Sequence, residues 1–308
     1  MELNDESILG SLWKWIGRIV LFALVLAILQ SGRGILLGSV LRVFFVWSFI
    51  GEVLIATTLA WVISKTHLRT SDLAGLVWLV LFVVQQFSNM VEALFFTTLY
   101  SSAAYFAQSL LTSLLTSLAG GILAAVLFQP TRHDMTLVSE LSSHFDKRSA
   151  ASWAWRIAVG SLAYFPIYFF FGALISSFVV PYYMNPSTGL KIPSFTVMIP
   201  LEFFRGFLYV LSLLGIFAAV KANGRTMSLI AACILYVPGG LVPLMLAAAV
   251  AALPIAIIPF HLTEILADSV AYGAFVAYLL NGRQNLESDV PGSPTSNSTS
   301  PSNIPTGY

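Results

Sequence analysis

The chain carries its chemistry in a few ionisable groups set inside long apolar runs. His261, Glu264 and Asp268 are spaced three and four apart, so on a helix they share one face, with Tyr272 a further turn along. Glu202 and Arg205 are spaced three apart. Gln85, Asn89 and Glu92 are spaced four and three apart, and Glu52 stands alone in its run. Ionisable groups at membrane depth are costly and mark function by default.

Counting charge sharpens this. Glu52, Glu92, Glu202, Glu264 and Asp268 face one arginine, Arg205, and one histidine, His261. Burying such an excess of negative charge in a low dielectric costs more than folding supplies. A proton, water or a cation must accompany these carboxylates, and the three options correspond to proton relay, a solvated transport cavity and a metal site. The candidate ligand- or proton-binding residues are therefore His261, Glu264, Asp268, Glu202, Arg205, Glu92, Asn89 and Glu52. A metal would draw its ligands from His261, Glu264, Glu202 and Glu92. Each has a plainer reading. Glu202 with Arg205 makes an intrahelical ion pair, Gln85 and Asn89 make interhelical hydrogen bonds, and a lone histidine is a satisfied buried side chain. Glu52 either faces a cavity or pairs with Arg33 or Arg42.

The runs that hold these groups define the class. The 308 residues are 57% hydrophobic and 9% charged, where a soluble domain has roughly 25% charged residues. A mean hydropathy of +0.85 excludes a soluble protein. A net charge of +1 with no basic arm argues against nucleic acid. The single cysteine, Cys233, excludes an intrachain disulfide and a cysteine-based zinc site, and reads as a packing residue. No Walker-type phosphate loop is present.

A span needs about 20 predominantly apolar residues. That rule predicts an all-α polytopic membrane helix bundle with eight spans, at about 16–36, 43–64, 73–99, 103–127, 156–180, 196–220, 227–250 and 257–280. Together they form a transmembrane domain over 1–284. The first run is read as a retained span, because its acidic start (Glu2, Asp5, Glu6) and its end at Gln30-Ser31-Gly32-Arg33 do not resemble a cleaved signal. Residues 285–308, rich in Ser, Pro, Thr and Asn, cannot bury a core and are expected to be a disordered tail.

Lys and Arg set the orientation. Lys14, Arg18, Lys65, Arg69, Arg132, Lys147, Arg148, Arg156, Lys221, Arg225 and Arg283 fall on one side of an eight-span topology. Lys191 and the Arg33–Arg42 connection fall on the other. Both termini are thus expected to be cytoplasmic, in a cell membrane. The loop 129–155 places Leu137, Leu141 and Phe145 at helical spacing, which predicts an interfacial helix. Small residues in the fourth span (Ser113, Ser117, Gly120, Gly121) predict close helix packing. Pro238-Gly239-Gly240 with Pro243 predicts an interrupted seventh span. Trp13-Lys14-Trp15 before span one and Trp153-Ala154-Trp155 before span five suggest two four-helix halves.

Glu202-Phe203-Phe204-Arg205-Gly206 resembles part of the Glu-Glu-x-x-x-Arg motif of the CAAX-protease and bacteriocin-processing family. Leu201 stands in place of the first Glu, and the Glu-to-Arg spacing is three rather than four, which turns the carboxylate by about 100°. That resemblance implies an intramembrane metal-dependent hydrolase, with His261 alone in place of the family's later histidines. Three functions follow from the sequence: transport or binding of a small polar or cationic ligand, such a hydrolase, or a non-catalytic membrane scaffold. The balance favours the first, with no enzyme activity, no cofactor beyond a bound cation or metal, and membrane lipids as the general partner.

Overall fold

The computed structural model describes residues 5–31, 39–130 and 132–281. The expected tail and Arg33 lie outside these residues, as does the side chain of Arg42. Among the described residues there are eight helices long and apolar enough to cross a membrane. They are α1 (Asp5–Ser31), α2 (Ser39–Ile63), α3 (Thr70–Phe96), α4 (Ala103–Leu127), α6 (Ala150–Tyr183), α7 (Phe195–Ala219), α8 (Gly224–Ala249) and α9 (Ile258–Asn281). A short helix, α5 (Leu137–Phe145), lies between the halves. The protein is a polytopic all-α bundle, as its hydropathy predicts. Helices are the natural solution where no water satisfies the backbone.

Side chains are sorted for a lipid exterior. On α4, Ser113, Ser117, Gly120, Gly121 and Ala124 are buried, whereas Leu111, Leu115, Leu118, Ile122 and Val126 are exposed. A Cβ at Gly121 would lie 2.5 Å from the Ala74 carbonyl oxygen, so the α3–α4 contact depends on the missing side chain. Serine and glycine here serve the close packing that their spacing predicts.

The two halves share a pattern of pairing. α1 packs on α2, α3 on α4 and α1 on α4. In the second half α6 packs on α7, α8 on α9 and α6 on α9. Trp15 stacks on Phe128 just beyond α4, and Arg156 donates to the carbonyl of Leu279 near the end of α9. The start of α1 thus meets the end of α4 as the start of α6 meets the end of α9.

Two helices depart from regularity. Residues Leu81–Phe87 of α3 and Val237–Leu241 of α8 are π-helical. The expected interruption around Pro238-Gly239-Gly240 is thus a π turn inside a continuous helix. Pro238 lacks an N–H and weakens the α ladder, and the wider turn accommodates it. The apolar stretch 226–280 divides at residues 250–254, where Ala251 adopts φ 54°.

The ends of the bundle differ. At one end, backbone bonds join Lys221 N to Lys65 O (2.9 Å) and Arg69 N to Met135 O (2.9 Å). The Lys221 ammonium meets Glu140, and Arg148 donates to the Leu280 carbonyl at 2.5 Å. At the other end, Thr98 N donates to Gly189 O and Lys191 N to Phe96 O, both at 2.8 Å, so the loop before α7 caps α3.

α5 is held by protein as well as by its expected apolar face. Leu137 and Phe145 pack on the core, but Glu140 and His144 are its buried residues. The His144 ring packs on Trp153 at 5.1 Å and its Nε2 has no partner among the described residues. Burial, with Lys147, Arg148 and Lys221 nearby, lowers its pKa from 6.5 to about 4. The unfolded chain therefore binds a proton that the folded chain refuses. The stability this provides is complete above pH 6.5 and falls away as pH drops towards 4. Unfolding midpoints measured between pH 7.5 and 4.5 should decline over that window, and His144→Phe should flatten the decline.

Candidate functional site

Arg205 is the centre of the site. Its α7 neighbours at helical spacing are Glu202, three residues before, and Tyr209, four after, so one face carries all three. One guanidinium nitrogen contacts Glu202 Oε2 at 2.8 Å, and the other contacts Glu92 Oε2 at 2.7 Å. The second nitrogen also donates to the Tyr209 hydroxyl at 3.2 Å, and Nε donates to Ser88 Oγ at 3.2 Å. Ser88 in turn donates to Tyr209 at 2.9 Å. Glu92 and Ser88 lie four apart on α3, beyond its π turn. The guanidinium also lies 5.5 Å from the Tyr164 ring centroid and 5.9 Å from those of Tyr168 and Tyr209. Rings at these distances favour a cation.

The sequence reading of Glu202 as an intrahelical partner of Arg205 holds, but the pair is a triad that includes Glu92 from α3. Arg205 occupies the space between the two carboxylates. Among the described residues, no three His, Cys, Asp or Glu side chains are grouped so as to hold a metal ion. Glu92 and Glu202 both pair with the guanidinium.

α9 supplies the opposite wall. His261 Nδ1 lies 2.8 Å from Glu264 Oε2, and the Tyr183 hydroxyl lies 3.4 Å from Nε2. This is the satisfied-histidine arrangement. Asp268 is buried, and among the described residues its carboxylate accepts a side-chain hydrogen bond from Ser269 Oγ alone, at 3.4 Å. Tyr272 is fully buried, and its hydroxyl lies 3.1 Å from the carbonyls of both Gly160 and Gly206, joining α9 to α6 and α7.

Asn89 joins the two π turns. Its amide nitrogen donates to Gln85 O and to Gly239 O, each at 2.9 Å. π turns leave carbonyls without their usual helical partners, and one amide here satisfies two of them. Asn89 thus acts as interhelical glue, and it also faces the void.

That void has two compartments. An outer vestibule of about 460 Å³ lies between the end of α3, the turn of α8, the start of α9 and the loop 183–190. Gln85, Gln86, Thr97, Tyr183 and His261 supply polar groups to a largely apolar lining. An inner cavity of about 40 Å³ is bounded by Tyr164, Tyr168, Arg205, Tyr209, Asp268 and Tyr272. Asn89, Glu92 and Ile265 line both compartments, so they form the partition. The inner space admits a few water molecules, since one needs about 10–15 Å³.

The structure thus gathers Glu92, Asn89, Arg205, Asp268 and His261 around one void. Glu202 and Glu264 line neither compartment and act on it through Arg205 and His261. Glu52 does not belong to it. Its Oε1 accepts from Gln30 at 2.6 Å and Gln85 at 3.4 Å, at the junction of α1, α2 and α3. Sequence reasoning missed the tyrosines of α6 and α7. The spacing of four between Tyr164 and Tyr168, and between Arg205 and Tyr209, was the available signal.

The bundle and its buried ion triad define a class, that of multi-pass all-α proteins with eight helices apolar enough for a membrane. Comparison with protein-family models, curated proteins and solved structures finds no match for this chain.

Proposed function

We propose that this is a cell-membrane protein with both termini cytoplasmic, which binds and transports a small polar or cationic ligand through an acidic cavity opening on the outer side. The supporting observation is the vestibule with an inner wall of Asn89 and Glu92 that leads to Asp268 and Arg205. Acid outnumbers base around it. Arg205 compensates Glu92 and Glu202 only in part, His261 meets Glu264, and Asp268 has no cation among its bonded partners. A ligand cation or a proton supplies the remaining charge.

The orientation has separate support. The vestibule is rimmed by Leu99, Tyr100, Thr188 and Gly189, at the end whose nearby Lys191 is one of few basic residues. Lys65, Arg69, Lys147, Arg148 and Lys221 crowd the opposite end. The positive-inside bias therefore points the vestibule outward.

The test is binding by purified protein in lipid nanodiscs, with guanidinium, choline and small diamines as probes. A bound probe at a hundredfold its Kd raises stability by about 2.7 kcal/mol, readable as a shift in thermal midpoint. Asp268→Asn, nearly isosteric, should abolish that shift while the probe-free midpoint stays near wild type. A wild-type protein that responds to none of these cations, or an Asp268→Asn variant that responds fully, would overturn the reading.

A further inference from the structure

Glu52 lies at a second polar centre, outside the cavity just described. It is fully buried on α2, with Gln30 of α1 and Gln85 of the α3 π turn both donating to the same oxygen, Oε1. The other oxygen, Oε2, has no partner among the described residues. Ser48, one turn earlier on the same helix face, is also fully buried, and its hydroxyl has no partner there either. No ion pair reaches Glu52 among the described residues.

This arrangement is poorly suited to a permanent carboxylate. Ionised, Glu52 would spread its charge over two oxygens, one of them bare in a medium that solvates nothing, which disfavours the charged form. A structural hydrogen-bonding residue would be served better by glutamine. Two amide donors converging on one oxygen, with the other left open, suit a group that takes up and gives back a proton. The proton adds to Oε2 while Oε1 keeps its two amide bonds.

The centre also has a route to water. Gln85 contacts Glu52 through its amide and lines the outer vestibule. Its backbone carbonyl accepts from Asn89, which lines both compartments. Gln85 therefore touches both Glu52 and the outer void, and is the side chain that stands between them.

We propose that Glu52, with Gln30 and Gln85, is an intramembrane proton-binding site that exchanges its proton with the outer vestibule through Gln85. This does not depend on which ligand the vestibule takes.

Infrared difference spectroscopy of the full chain in nanodiscs tests it. The carbonyl stretch of a protonated carboxylic acid should appear on lowering pH, and the component should be missing in Glu52→Gln, which preserves shape. That component should shift on transfer to D2O, and Gln85→Leu should slow the shift while leaving the band's intensity intact. Asp268→Asn should retain it, which separates failure here from failure of the cavity reading. A spectrum with no Glu52-dependent band at any pH would overturn the proposal. So would a band that never exchanges in D2O, which marks a sealed structural acid. A band abolished by sodium ions at constant pH would replace the proton with a metal cation.

Discussion

Arg205→Leu is expected to lower the stability of the protein by about 3–5 kcal/mol, the loss typical of removing one partner from a buried ion pair. The Arg205 side chain is 5% exposed and that of Glu202 is not exposed at all, so bulk solvent does not solvate the carboxylate that Glu202 would present. Glu202 already has one buried oxygen, Oε1, without a partner among the described residues, and the variant would strand the other. Arg205→Lys should recover only part of the loss. An ammonium keeps the charge but cannot direct separate N–H groups at Glu92, Glu202, Ser88 and Tyr209. Combining Arg205→Leu with Glu202→Gln should cost less than the sum of the two single changes, because the stranded carboxylate is then neutral. Unfolding in mixed micelles, followed by tryptophan fluorescence, reads all three. A loss below about 1 kcal/mol would place the triad among solvated surface pairs and remove its structural importance.

The next residue gives the second large effect. A Cβ on Gly206 would collide with the Ser161 carbonyl oxygen and lie 2.7 Å from the Tyr164 Cβ. A backbone oxygen cannot swing aside as a side-chain tip can, so Gly206→Ala must push α6 away from α7. Overpacking of this kind costs about 1–3 kcal/mol. Function should suffer more than stability does. The displaced helix carries Tyr164 and Tyr168, which bound the inner cavity, and the Gly206 carbonyl is one of the two acceptors of Tyr272. Cation-induced stabilisation should therefore fall more steeply than the unfolding midpoint. Gly75→Ala is the control. Nothing lies within 4 Å of its added Cβ, and exposed helix positions gain about 0.5–1 kcal/mol from this change. Equal losses in both variants would show that the effect is not specific to the α6–α7 contact.

The bundle itself was legible because lipid imposes a simple rule on composition, and eight runs obeyed it. The site was legible in part. Glu202 and Arg205 declared themselves by a spacing of three, and His261 and Glu264 by the same spacing. The third member of the triad was not, since no local pattern says that Glu92 of α3 meets Arg205 of α7. The π turn of α3 was invisible for a related reason. A helix with an extra residue in one turn rotates everything beyond it by about 100°, and although Gln85, Asn89 and Glu92 all line the outer vestibule, their second contacts diverge. Gln85 sits within the turn and reaches Glu52, while Glu92 lies beyond it and reaches Arg205. Charge counting placed Glu52 with the other carboxylates. Packing assigns it to a different set of helices, and only tertiary contacts reveal that.

α6 runs for 34 residues, about 50 Å at 1.5 Å per residue, against a hydrocarbon layer of about 30 Å. Such a helix must lean or project into the headgroups, and its lean follows the thickness of the surrounding lipid. Tyr164 and Tyr168 travel with it. The inner cavity is bounded on one side by a helix with an inclination set partly by acyl-chain length, so the shape of the cavity becomes a property of the bilayer as well as of the chain. Proteins reconstituted in short-chain and long-chain lipids are then not interchangeable samples of one cavity.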